Sequence, residues 1–189
     1  MISYRPVIPS DAEQVAQIYN NGWNFAFREK GLMTAEFIDR ANEGRLAGLQ
    51  ARIPESGSGI MNETGTRLVV AVATESGVDQ VIGACTVGPT REPTEVPGFP
   101  LELQSLYIDS NFHGRGIGNG LVKAGIQLIG WSESSGKMFV RVFEKNERAI
   151  AFYTRKLGGK LYRLESSAKF GGLEQRVAVI VWDNVTCVL

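Results

Sequence analysis

The apolar residues change period along the chain. Near the start, Ala12, Val15, Ile18 and Tyr19 recur at helical spacing behind Pro9-Ser10-Asp11, which offers cap residues, and this predicts a helix over 12–19. A short strand is expected before it, over 2–5, and a second helix over 34–50. The stretch 54–66 is rich in Gly, Ser and Asn and reads as a loop. Beyond it the pattern becomes that of strands. The β-rich runs 68–73 and 81–87 flank Glu75-Ser76-Gly77-Val78-Asp79, a hairpin signal. The segment 88–100 carries Pro89, Pro93, Pro97 and Pro100 and is excluded as a central strand. A strand over 101–108, a helix over 116–132, a strand over 138–143 and a helix over 146–157 follow. Gly158-Gly159 stops that last helix, and strands over 161–164 and 177–182 close the chain. The class is therefore mixed α/β.

Length and charge narrow the picture. A chain of 189 residues buries about 70% of its extended surface on folding, enough for one core and a single domain over 1–189. Lys and Arg number 20 against 20 Asp and Glu, so the chain has no overall cation surplus for binding nucleic acid. Cys85, Cys187 and His113 cannot supply the four ligands of a structural zinc site, so no metal is expected. No disulfide framework is visible. The first residues lack a signal peptide's apolar core, and no uncharged apolar run approaches the roughly 18 residues of a membrane span. A soluble, cytoplasmic protein is expected.

The chemistry concentrates in Leu106-Tyr107-Ile108-Asp109-Ser110-Asn111-Phe112-His113-Gly114-Arg115-Gly116-Ile117-Gly118-Asn119-Gly120-Leu121, which reads strand, glycine-rich turn, helix. Glycines leave backbone N–H groups uncovered, and the helix start adds its own free N–H groups and positive dipole end. Together they suit a pyrophosphate, with Arg115 as a further contact. A glycine-rich connection without a ligand would show the same run. The spacing fits neither the P-loop nor the dinucleotide fingerprint: Gly114 and Gly116 are followed by Asn119, and Gly116 and Gly118 by Leu121.

The run from His113 to Gly118 resembles the acetyl-CoA loop of the GCN5-related N-acetyltransferases (GNAT), whose pattern is Gln/Arg-x-x-Gly-x-Gly/Ala. Downstream, Asn146-Glu-Arg-Ala-Ile-Ala-Phe-Tyr153-Thr-Arg-Lys-Leu-Gly158 resembles that family's asparagine-to-tyrosine helix. The two blocks cover about a third of the chain. His113 departs from the family's Gln or Arg, leaving a contact near the pyrophosphate and a solvent-facing histidine as its two readings. The resemblance implies a twisted mixed sheet of about six or seven strands flanked by helices, acetyl-CoA as cosubstrate, and an amine acceptor. It implies that Leu106, Tyr107, Ile108, His113, Gly114, Arg115, Gly116, Ile117, Gly118, Asn119 and Asn146 hold acetyl-CoA, with Lys123, Lys145 and Arg148 as supplementary cations. Small members of the family are often dimers, which leaves a homodimer open.

Direct attack on a thioester needs a free amine, whereas a lysine-like amine of pKa about 10.4 is protonated at neutral pH. Glu102 is the candidate general base. It stands between Leu101 and Leu103 in a mostly apolar strand, on the face that simple alternation assigns to Gln104, Leu106 and Ile108. It lies six residues before Ile108, roughly 20 Å, comparable to an extended pantetheine arm. Some family members carry their catalytic glutamate at the matching position. The alternative is a glutamate at the solvated start of the strand. The resemblance makes Tyr153 the general acid for the departing thiolate, although Ile150, Tyr153 and Leu157 also form an apolar stripe. Asn146 reads equally as a helix cap.

Trp23, Phe25, Phe27 and the segment 88–100 are the candidates for the acceptor pocket, with a small-molecule amine, a peptide N-terminus or a lysine as acceptor. The aromatics could instead staple the first helices to the sheet. Cys85 reads as a buried small hydrophobe. The competing function is a CoA-binding regulatory domain with the same fold and no turnover.

Overall fold

A computed structural model describes residues 1–91, 93–130, 136–167, 173–185 and 188. Its seven strands form one sheet in the order β1-β2-β3-β4-β5-β7-β6. They are β1 (Ile2–Pro6), β2 (Arg67–Glu75), β3 (Val78–Pro89), β4 (Leu101–Ile108), β5 (Met138–Phe143), β6 (Lys160–Ser167) and β7 (Gln175–Trp182). Helices α1 (Ala12–Trp23), α2 (Ala35–Gln50), α3 (Ile117–Ile129) and α4 (Glu147–Ala151) flank it. Among the described residues no helix is long and apolar enough to cross a membrane.

The expected elements are all present, with informative differences at their ends. The first helix runs past Tyr19 to Trp23 and then widens through Asn24–Arg28, where Glu29 N–H bonds the carbonyl of Asn24 five residues back. Thr34 caps α2, its hydroxyl accepting from Phe37 N–H at 3.3 Å. The helix expected over 146–157 divides: Asn146 caps α4, which gives way to a second wide turn over Phe152–Lys156. Wide turns of this kind recur at functional sites. Gly158 ends the segment at φ +71. The predicted end of the third helix at Ser132, and Cys187, lie outside the described residues.

Strand alternation divides the core between the two faces of the sheet. On one face Val69, Cys85, Leu101 and Leu103 pack with Leu121, Val122 and Ile126 of α3 and with Tyr153. On the other, Leu68, Val70, Val72 and Ala84 meet Val15 and Ile18 of α1 and Leu49 of α2. The proline-rich segment covers the second face farther along, where Val96 and Phe99 pack on Phe139, Val179 and Val181.

Two irregularities in β4 create the site. First, β4 and β5 run parallel but pair only at Leu101↔Met138 and Glu102↔Phe139. Beyond Glu102 the strands diverge. Second, the β3–β4 register passes from Val87↔Leu103 to Thr86↔Ser105, leaving Gln104 as the extra residue of a bulge. The bulge reverses the alternation. Leu101, Leu103, Leu106 and Ile108 face α3, while Ser105 and Tyr107 face α1. The sequence expectation that Glu102 shares a face with Leu106 and Ile108 is therefore corrected: one inserted residue puts Glu102 on the opposite face, with Ser105 and Tyr107.

Candidate active site

The diverging strands open a cavity of about 820 Å³. It reaches from the glycine turn at the C-terminal end of β4 to Glu102 at its start, and its walls include α1, β5 and α4. Past Glu102, β4 has no ladder partner on its β5 side, so the backbone N–H and C=O of Leu106 and the N–H of Ile108 are open to an extended ligand on that edge.

The turn after β4 is built locally. The Asp109 carboxylate accepts from Asn111 N–H at 2.9 Å and starts a short helical turn over Ser110–Phe112. His113 folds back, its Nε2 donating to the Ile108 carbonyl at 3.0 Å. It lines the cavity while holding the turn closed, so it is not a free solvent-facing side chain. Four glycines follow, for two different reasons. Gly114 and Gly116 have φ of +79 and +77, and a Cβ on either would meet nothing within 4 Å. These two supply the left-handed turn and the uncovered backbone. Gly118 and Gly120 serve packing instead: a Cβ at Gly118 would lie 2.9 Å from the Phe152 ring, and one at Gly120 would lie 2.2 Å from that of Tyr4. The first intrahelical bond of α3 is Gly120 N–H to Gly116 carbonyl at 3.2 Å. The N–H groups of Ile117, Gly118 and Asn119 thus have no acceptor within the helix, and all three residues border the cavity.

At the other end stands Glu102, only 1% exposed. Arg91, from the proline-rich segment, grips it with three hydrogen bonds: Nη2 to Oε1 at 2.5 Å, Nε to Oε2 at 3.0 Å, and backbone N–H to Oε2 at 3.2 Å. Tyr153 stands on the wide turn after α4, its ring edge-on to Phe152 and Trp182. Burial raises its pKa, which keeps the phenol protonated at neutral pH. Among the described residues nothing hydrogen-bonds its hydroxyl, and Tyr153 borders the cavity. Asn146 does so too while its Oδ1 accepts from Ala149 N–H at 3.4 Å.

The model of the Acetyltransferase (GNAT) family matches residues 13–158. The chain belongs to that family. Three solved structures show the same GNAT fold. One is yncA from Salmonella typhimurium with its cofactor acetyl-CoA (20% identity, 98% of this chain and 94% of that one, TM-score 0.64). Another is the ribosomal-protein-alanine N-acetyltransferase of Brucella melitensis (23%, 95% and 98%, TM-score 0.63). The third is the paia N-acetyltransferase of Thermoplasma acidophilum in complex with coenzyme A (14%, 94% and 98%, TM-score 0.57). No curated protein matches the chain in sequence.

Most of the residues singled out from the sequence border this one GNAT cleft: Glu102, Leu106, Tyr107, Ile108, His113, Gly114, Gly116, Ile117, Gly118, Asn119, Asn146 and Tyr153, together with Trp23, Phe25 and Phe27. Arg115 does not; it is exposed and its guanidinium stacks 5.1 Å from the Phe112 ring centroid. Of the supplementary cations, Arg148 borders the cleft, and Lys123 and Lys145 do not. Tyr107 turns its ring toward α1, 4.9 Å from that of Tyr19, and its backbone pairs with Ala84 of β3, so it offers no group to the open edge. Cys85 is fully buried, and burial pushes its thiol up, consistent with an inert packing role. Of the segment 88–100 expected at the acceptor pocket, Arg91 borders the cleft; Arg141, Met33, Phe37 and Phe143 border it too and were not singled out from the sequence. The available signal for Arg91 was register: a β3–β4 antiparallel pair pivoting near Pro89 brings the next few residues back toward Glu102.

Proposed function

We propose that this GNAT enzyme moves the acetyl group of acetyl-CoA to a primary amine by direct attack in a ternary complex. The observation that carries the reading is the single cleft running from the open glycines to a buried carboxylate and a protonated phenol. The chain fits acetyl-CoA on its own features: an unpaired strand edge for the pantetheine arm and uncovered amides for the pyrophosphate. Gly114, Gly116 and the first amides of α3 would hold the phosphates, with Asn146, Arg148 and the Leu106 and Ile108 backbone beside them. When bound, acetyl-CoA supplies an activated acyl carbon on a thiolate leaving group.

Glu102 serves as the base. Oε2 accepts two of the Arg91 bonds but Oε1 accepts one, and a carboxylate oxygen has two lone pairs, so Oε1 keeps a site for the amine's proton. Losing that proton frees the nitrogen lone pair. The N–C bond forms as the C–S bond breaks, and an N–H near Leu106 steadies the carbonyl oxygen. Tyr153 gives its proton to sulfur, and the second proton that nitrogen loses on becoming an amide returns through solvent to the phenolate, while Glu102 releases the first to bulk water. The pKa of Tyr153 is raised by burial, and the same dry surroundings raise the proton affinity of a thiolate, which keeps the transfer balanced. The test is thermal unfolding with acetyl-CoA, alongside thiol release over an amine panel. Acetyl-CoA raises the melting temperature of the wild type, and thiol appears only with an acceptor amine. No thermal shift, or thiol release at the same rate without amine, overturns the reading.

A further inference from the structure

The acceptor half of the cleft has a chemical character of its own. The end of α1 and its wide turn, the segment into α2, and the end of β5 together contribute Trp23, Phe25, Phe27, Met33, Phe37 and Phe143 to the lining. Several of these pack as a core does: Met33 is 7% exposed and Phe143 6%. Phe27 lies edge-on to Trp23 at 5.6 Å and to Phe143 at 5.4 Å. Phe25 and Phe37 differ. They are 47% and 40% exposed, yet both border the cleft. A ring needed only to staple helices to the sheet gains most from full burial, and these two forgo part of it. Apolar surface left open on the wall of a concave site is surface for a ligand.

Charge narrows the ligand further. The carboxylates among the described lining residues are Asp109 and Glu102. Asp109 caps the glycine turn, and Glu102 is held by Arg91. The other charged groups on the walls are cationic: Arg91, Arg141, Arg148 and Lys156. Arg141 is itself paired with Glu95 and Glu165. Behind the aromatic wall, the Arg45 guanidinium stands 4.5 Å from the Trp23 ring centroid and is held by the neutral side chains of Asn20 and Asn42. An acceptor's second or third ammonium group would find no free carboxylate among these residues and would lie close to like charges.

Resting on the acetyl-transfer reading above, we infer that the acceptor is a small primary amine whose amino group is its only positive charge and whose remainder is aromatic or bulky aliphatic. The amine is directed toward Glu102 and the apolar group lies against Phe25 and Phe37.

The test compares 2-phenylethylamine with spermidine, using wild-type enzyme and saturating acetyl-CoA. The expected result is a kcat/KM for 2-phenylethylamine about 100-fold or more above that for spermidine. Phe25→Ala and Phe37→Ala each raise the KM for 2-phenylethylamine about tenfold, with kcat, the KM for acetyl-CoA and the melting temperature near wild type. Both rings are half-exposed, so truncation costs the fold little, and the wild-type comparison stands even if one variant is unstable. If acetyl-CoA stabilises the protein but spermidine is acetylated as efficiently as 2-phenylethylamine, or both variants keep the wild-type KM, the acceptor class is overturned and acetyl transfer stands. If acetyl-CoA does not stabilise the protein and neither amine is acetylated, the transfer reading falls and this inference with it.

Discussion

Arg91 and Glu102 form a two-pronged ion pair in which the carboxylate is 2% exposed and the guanidinium side chain 55%. The pair joins the proline-rich segment to the one rung region where β4 and β5 still touch. Glu102→Gln keeps the shape and removes the charge. Turnover should fall about 10²–10⁴-fold while acetyl-CoA affinity is retained. The deficit should shrink as pH rises, because more of the amine is then deprotonated without help. Steady-state kinetics across pH checks both statements, and wild-type turnover at neutral pH would remove Glu102 from the mechanism.

Arg91→Met should lower stability by about 1–3 kcal/mol, since the buried carboxylate loses its donors and only partly regains them from water through the exposed side of the pair. Chemical denaturation measures this. An unchanged midpoint would mean that solvent replaces Arg91 fully.

Tyr153→Phe deletes a hydroxyl that has no hydrogen-bond partner among the described residues. Stability should change by less than about 1 kcal/mol. Turnover should drop with the KM for acetyl-CoA unchanged, because the hydroxyl acts on the departing sulfur. Normal turnover per folded molecule, combined with weaker cofactor binding, would assign the residue to packing.

Burial raises the pKa of Tyr19, Tyr107 and Tyr153. Below about pH 10 these tyrosines are protonated whether the chain is folded or not, and the shifts leave stability unchanged. Above that, the unfolded chain releases protons that the folded chain keeps, so stability falls as pH rises. The three should ionise with unfolding rather than before it. Phenolate absorbance recorded together with circular dichroism tests this; ionisation of all three with the fold intact would contradict it.

The glycines should separate by mechanism. Gly116→Ala places a side chain at φ +77 and should cost about 1–2 kcal/mol, with weaker stabilisation by acetyl-CoA. Gly118→Ala should destabilise through Phe152, and adding Phe152→Leu should restore part of the loss. Melting curves of the single and double variants, with and without acetyl-CoA, distinguish the two. Equal behaviour of Gly116→Ala and Gly118→Ala, with no rescue, would remove the distinction.

Legibility varied along the chain for physical reasons. The period of the apolar residues marked every strand, because a sheet covered on both faces demands a residue type at each position. The glycine turn was visible because Gly114 and Gly116 occupy conformations other residues avoid. Only half of the reason for a glycine at 118 was legible: its N–H at the helix start shows in the sequence, but its need for space comes from Phe152, which lies 34 positions away and leaves no local signature. The bulge at Gln104 was likewise hidden: no glycine or proline marks it, and it arises from the register with β3. That one residue moved Glu102 to the other face and into the reach of Arg91. The two wide turns, after Trp23 and after Ala151, read from the sequence as continuous helix or as an aromatic cluster, since both keep helical composition.

The most direct measurement is mass spectrometry of a complete reaction containing enzyme, acetyl-CoA and an acceptor amine. Direct transfer in a ternary complex predicts that the amine gains one acetyl group in step with free CoA thiol, that the protein's own mass stays unchanged, and that Glu102→Gln slows product formation without abolishing acetyl-CoA binding. An acetyl group carried on the protein during turnover, or bound acetyl-CoA that no amine ever discharges, would contradict it.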